Sequence, residues 1–216
     1  MRDLVELTGM VIKSTSVGEY DKRLVILTRE RGRITAFARG AKRPGNSFMG
    51  PSRPFAFGTF KLLEGREAYN LQGAEISQYF EELVMDMEGA CYGQYFLEFG
   101  DYYSRENLNG EGMLLLIYQS LRALLKPSIP NSLVQRIFEL KAMVLNGEYT
   151  ERPPKPVSDS ANYTWEFVVA SPIEKLYTFA VTDAVFEEFR QCVEINKTRY
   201  VDTTFHSLEI LRTLIL

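Results

Sequence analysis

The sequence predicts an α+β chain of two domains. A small β-barrel occupies residues 1–78 and an α-helical bundle occupies residues 79–216, with an irregular insertion near 148–167. Three observations predict this. Apolar residues form short, partly alternating runs up to about residue 77 and recur at three- and four-residue spacings from Gln78 onward. Glycine and proline punctuate the gaps between the early runs. Charge also divides: residues 1–75 carry 13 Lys and Arg against 8 Asp and Glu, whereas residues 76–216 carry 12 against 20.

The elements follow in order. Leu7–Ser16 is rich in β-branched residues and ends at the turn signal VGEYD. Lys22–Glu30 is an apolar run suited to a buried strand, and Arg31-Gly32-Arg33 makes a tight turn. Arg33–Gly40 alternates; Phe55–Gly65 and Glu67–Ser77 complete five strand-like segments. Five strands in about 75 residues predict a small closed barrel, and the OB-fold is the five-stranded barrel whose common ligand is an oligonucleotide. Helical periodicity then covers Tyr79–Ser104 as one or two helices, Glu111–Lys126 up to Pro127, and Asn131–Gly147 from an Asn cap to Asn-Gly. Glu148–Tyr163 has neither Leu nor Ile and reads as a linker or long loop. Ser171–Ala180, Thr182–Asn196 and Asp202–Leu216 return to helix, each opening on a Ser, Thr or Asp cap candidate.

The longest apolar runs, such as Met113–Tyr118, are far too short to span a bilayer, and the N-terminus with Asp3 and Glu6 has no apolar signal core. Cys91 and Cys192 lie a hundred residues apart, which fits a reducing cytoplasm rather than a disulfide framework. Catalytic arrangements are absent from the pattern: one histidine, His206, and no GxSxG, HExxH or GxxxxGK[ST] string. No enzyme and no metal or other cofactor is expected. A hydrolase with a scattered acidic site is the weakest of the readings.

The binding chemistry is more definite. Between Lys22 and Lys61 stand ten basic residues and one acid, Glu30, the composition of a surface for a polyanion. Alternation along Arg33–Arg39 puts Ile34, Ala36 and Ala38 on one face and Arg33, Thr35, Phe37 and Arg39 on the other. A ring flanked by guanidiniums can stack a base while the arginines follow phosphates; the alternative places Phe37 in the core and the arginines at its rim. Lys42, Arg43 and Arg53 lie in a Gly- and Pro-rich stretch, Gly40–Pro54, with no acid near them in sequence, which reads as an exposed, mobile loop for phosphate contact. Lys22 and Lys61 bound this basic stretch and complete the candidate DNA-binding set. In the helical part, Arg122, Arg136 and Lys141 lie on apolar helices, where they could hold an acidic peptide tail; bridging to neighbouring helices is the alternative.

The order of motifs resembles a known family. TGMVIKSTSVGEYDKRLVILTRERGRITAFARGAKRP, followed by GPSRPFAFGTFKLLEGREAYNLQGAEI, is similar to the N-terminal domain of the recombination mediator RecO. The resemblance continues more loosely through YGQYFLEFGDYY, VQRIFELKAMVLNGEY and HSLEILRTL. It implies an OB-fold followed by a helical bundle in a bacterial, cytoplasmic, nucleoid-associated DNA repair protein. It also implies binding of single- and double-stranded DNA, annealing of complementary strands, contact with the tail of single-strand binding protein, and loading of RecA together with RecR. Many members carry a four-cysteine zinc module after the helix that ends in LNGEY. Here that position holds Thr150–Phe167 and no cysteine, so the family zinc site is expected to be absent: either the module has become a metal-free loop, or its fold survives on packing of Tyr163, Trp165 and Phe167. A competing reading is an adaptor that has lost DNA binding and works through its helices.

Overall fold

The computed structural model describes residues 3–215. Its contacts divide into two units. One comprises Met1–Glu81 and Leu97–Leu114, the other Glu82–Phe96 and Leu115–Leu216. Residues 97–114, which the sequence assigns to the helical part, therefore group with the strands.

The first unit is a closed five-stranded barrel: β1 (Leu4–Val17), β2 (Asp21–Thr28), β3 (Gly32–Ala38), β4 (Phe57–Leu63) and β5 (Tyr69–Gln78), in the circular order β1-β2-β3-β5-β4. All pairings are antiparallel except β3 with β5, where Ala36 lies opposite Tyr69 and Phe37 opposite Asn70. This is the strand order of an OB-fold, and closure leaves no free sheet edge. The interior is filled by Val11, Leu24, Ile26, Ile34, Ala36, Ala38, Phe60, Leu62 and Leu71. Small residues are required where the ladder tightens: Gly9 sits opposite Gly58, and a Cβ on Gly58 would lie 2.1 Å from the Glu75 carbonyl oxygen.

Between β3 and β4 the chain does not form the open, mobile loop that its glycines and prolines suggest. It is a run of tight turns, each closed by a backbone N–H donating three or four residues back: Arg43 to Gly40, Asn46 to Arg43, Met49 to Asn46, Ser52 to Phe48 and Arg53 to Gly50. Ala41 and Ala56 are buried in the barrel core and Phe48 packs against it. Glycine and proline here specify turns, and the apolar residues between them anchor those turns.

Residues 97–114 carry the end of α2 (Met87–Tyr103) and the start of α3 (Glu111–Leu124). Between the two helices the backbone is tied to the β2–β3 turn. Arg33 N–H donates to the Arg105 carbonyl (3.2 Å), Asn107 N–H to Arg31 (3.0 Å) and Gly110 N–H to Arg29 (3.1 Å). The approach demands glycine on both sides. Gly32 has φ +63°, and a Cβ there would come within 2.2 Å of the Arg105 oxygen. A Cβ on Gly110 would come within 2.2 Å of the Thr28 oxygen.

The second unit is helical. It contains α1 (Glu81–Met85) apart from its first residue, the remaining parts of α2 and α3, and α4 (Asn131–Leu145), α5 (Asp159–Ala170), α6 (Asp183–Tyr200) and α7 (His206–Ile215). Helix α4 is its centre, burying Leu133, Val134, Ile137, Phe138, Leu140, Ala142 and Met143. Phe138 stacks on Phe96 at 4.2 Å between ring centroids. The stretch read as a linker through Tyr163 ends earlier, because the Ser158 side chain accepts from Ala161 N–H and starts α5 at Asp159. Trp165 on α5 is fully buried, and its indole N–H donates to the Thr150 carbonyl (3.0 Å), which anchors the irregular segment. The helix expected over Ser171–Ala180 is a single 3-10 turn, Ile173–Lys175. Asn131 is not a cap: Pro130 occupies that position, without a side-chain bond. Leu216, the end of the last expected helix, lies outside the described residues.

Candidate nucleic-acid interface

Strand β3 alternates strictly, with Ile34, Ala36 and Ala38 buried and Arg33, Thr35 and Phe37 partly exposed. Phe37 therefore faces outward, not into the core. The register places its neighbours. Arg23 on β2 lies opposite Phe37, and Thr15 on β1 lies opposite Arg23. One step along, Lys13, Val25 and Thr35 form a second row. A cleft of about 220 Å³ opens here, lined by Lys13, Thr15, Arg23, Val25, Arg33, Thr35, Asp101 and Glu106. The strand 2–3 face is where an OB-fold takes oligonucleotides. Lys13 and Arg23 were not among the residues expected from the sequence, although register across β1–β3 joins them to Phe37.

A second cationic group forms at the start of β2. Lys22 lies opposite Ala38, and Lys42 is held nearby through its N–H, which donates to the Tyr20 carbonyl (2.9 Å). Burial lowers the basicity of the Lys22 ammonium, and the positive charges of Arg53 and Lys42 lower it further. Like charges are thus gathered rather than dispersed. The Arg43 guanidinium lies over the Tyr20 ring, 4.6 Å from its centroid, a cation–π contact that orients it and leaves its donors available. Arg39, just beyond β3, is exposed. Among the described residues, Lys22, Arg39, Lys42, Arg43 and Arg53 make no ion pair. One acid is nevertheless in reach of this loop, contrary to the sequence pattern: the Asp21 carboxylate accepts from Gly40 N–H at 2.7 Å. It serves as a turn cap there.

Other expected contacts are engaged within the protein. Lys61 on β4 lies between Glu75 (3.1 Å) and Glu6 (3.4 Å), and these two carboxylates raise its basicity. Arg33 pairs with Asp101 at 2.9 Å. Neither is a free cation in this conformation.

In the helical unit, Arg136 and Lys141, expected as a peptide clamp, are both engaged within the protein. Arg136 Nη1 donates to Glu139 (2.8 Å) and Glu194 (2.6 Å). Glu139 is fully buried and also accepts from the Tyr95 hydroxyl (2.6 Å), the Gln135 amide (3.1 Å) and the Lys197 ammonium (3.0 Å). Burial alone would raise the Glu139 carboxyl, but Arg136 and Lys197, with the Tyr95 hydroxyl, hold it below the ordinary carboxylate value. Lys141 is buried and donates to the carbonyls of Val168, Val169 and Ser171, the unsatisfied C-terminal end of α5. The alternative of bridging within the bundle describes both residues. Arg122 on α3 is exposed.

The family zinc module does not fit these residues. The Thr150–Phe167 segment has no cysteine, and among the described residues no three His, Cys, Asp or Glu side chains converge as metal ligands. No helix among the described residues is long and apolar enough to cross a membrane.

Comparison with known proteins gives a consistent picture. The family model described as recombination protein O N terminal matches residues 1–80. The DNA repair protein RecO of Alkaliphilus metalliredigens is 31% identical over 144 residues, covering 67% of this chain and 58% of that protein. The RecO of Symbiobacterium thermophilum is 33% identical over 144 residues, covering 67% and 57%. The RecO of Acetivibrio thermocellus aligns over 97% of both chains at 20% identity. The more identical matches thus span somewhat over half the length of those relatives.

Proposed function

We propose that this chain, which belongs to the RecO family, is a non-catalytic DNA-binding protein of repair and recombination whose barrel carries the nucleic acid. The observation that carries the reading is the set Lys22, Arg39, Lys42, Arg43 and Arg53, five cations without an ion pair among the described residues, in a barrel that also turns Phe37 outward. Unpaired cations supply sequence-independent phosphate contacts, and these serve single- and double-stranded DNA alike. Phe37 with Arg23 adds a stacking position that only an unpaired base can use. Lys13 and Arg23 extend the basic track across the outer face of β1–β3.

Annealing of complementary strands, and RecA loading together with RecR, belong to the same proposal and rest on family membership. For the acidic tail of single-strand binding protein, Arg122 is the one exposed cation of the three expected on the helices. The test is a salt titration of binding to a fluorescent oligonucleotide. Affinity should fall linearly on a log–log plot, with a slope that counts the phosphates neutralised. No measurable binding at low salt would sink the reading and leave the protein-interaction adaptor in its place.

A further inference from the structure

The segment 97–114 does more than cover part of the barrel. It brings two carboxylates, Asp101 and Glu106, into the cleft whose other charged walls are Lys13, Arg23 and Arg33. Asp101 Oδ1 accepts from Arg33 Nη1 at 2.9 Å, and the Asp101 carbonyl lies 3.4 Å from the same nitrogen. The segment's backbone is fixed by three hydrogen bonds to the β2–β3 turn and by glycine contacts on both sides. Opening the cleft therefore requires no backbone movement. It requires only that the Arg33 side chain leave Asp101. Both partners are about one-third exposed, 39% and 31%. A half-solvated pair of this kind is weak enough for a polyanion to displace.

Resting on the reading that the outer face of β1–β3 binds DNA, we propose that Asp101 competes with a nucleic-acid phosphate for the Arg33 guanidinium. Asp101 then sets affinity, by holding one cation back from the ligand. With the pair closed, the face offers Lys13 and Arg23 to the backbone; with it open, Arg33 joins them and one more phosphate is engaged. Glu106, which has no ion pair among the described residues, adds like-charge repulsion at the same wall.

The test uses the full chain and a fluorescent single-stranded oligonucleotide, with salt varied. Asp101→Asn is expected to tighten binding about two- to fivefold, the range that an exposed ion pair commands. It should also steepen the log–log salt slope by about 0.7, one single-strand phosphate. Arg33→Gln in the otherwise unchanged protein should weaken binding modestly, because the phosphate that displaces Asp101 loses its guanidinium, and it should abolish the gain when combined with Asp101→Asn. Glu174→Gln, an equal charge change on an exposed residue of the helical unit, controls for net charge. If Asp101→Asn loses cooperative melting, Asp101→Ser with and without Arg33→Gln provides the same comparison. Unchanged affinity in Asp101→Asn, or a gain that survives Arg33→Gln, overturns the inference and leaves DNA binding standing. Absence of binding by the unmodified protein overturns both.

Discussion

The two units use the same kinds of cation in opposite ways. In the helical unit, Arg136, Lys141 and Lys197 are largely buried, and every one is matched to a carboxylate or to helix-end carbonyls. In the barrel unit, Arg53 and Lys42 lie close enough to Lys22 to add to the effect of burial in lowering its basicity, and none of the three has an acid paired to it among the described residues. A cation matched internally stabilises the fold and has little left to offer a ligand. A cation that is left unmatched beside others of its sign raises the free energy of the unliganded state, and an arriving phosphate relieves it. Local charge counts alone do not distinguish these situations; the partner set does.

The comparison breaks most sharply at Glu139. Glu139→Ala leaves Arg136 and Lys197 with only the partly exposed Glu194 as shared counter-charge and should cost about 3 kcal/mol, read from the denaturant midpoint, with DNA affinity of the surviving folded protein unchanged. The pH counterpart follows from the lowered folded value of the same carboxyl. Its stabilisation is present above the ordinary carboxylate range and is lost as pH falls through that range and below it. A stability profile from pH 6 to about pH 2 should therefore drop more steeply in the parent than in Glu139→Gln.

Charge reversal of Lys22, Lys42 and Arg53 together tests the other side. It should weaken single- and double-stranded DNA on the order of 100-fold at low salt and reduce the salt slope by about three. Neutralising the same three residues to Gln should leave the melting temperature level or raise it, since like-charge crowding is then relieved. Phe37→Ala sharpens the picture within the barrel: a loss of about 1–3 kcal/mol on single strands, with duplex affinity retained. Equal loss on both would assign Phe37 to packing. Lys61→Gln is expected to have the smallest effect, within about twofold on DNA and less than about 1 kcal/mol on stability, because its charge is already answered on both sides.

How much of this was legible in the sequence differs by kind of information. The five strands follow from β-branched and apolar runs set between turn residues, and the residues that share a face with Phe37 follow from a period of two; both are local properties of the chain, whereas which face turns outward is not. The grouping of basic residues between Lys22 and Lys61 was also visible. Their sorting into free and engaged was not. Arg33 meets Asp101 across 68 residues of sequence, and Lys141 meets Val168 across 27. A helix's own periodicity shows which of its residues share a face, but not what the neighbouring helix presents to that face. Hence Arg136 and Lys141 read as available groups. The turns between β3 and β4 read as mobile because Gly and Pro were weighed without Ala41, Phe48 and Ala56, which insert into or against the core. Lys13 and Arg23 escaped notice because their value comes from cross-strand register with Phe37, and a single strand does not display register.

The division of the chain also bears on how the protein can be inherited or dissected. Helices α2 and α3 each begin and end in different units, so the barrel is not a cassette that ends where its last strand ends. A fragment stopped near residue 80 would lack Gly110 beside the fully buried Leu27 and the three backbone bonds to the β2–β3 turn. It would uncover Leu27 and the backbone of the β2–β3 turn, which the whole chain covers. Exchange of this barrel between relatives at its sequence boundary should therefore yield aggregating chimaeras. Exchange that carries residues 97–114 along with the strands should yield soluble ones.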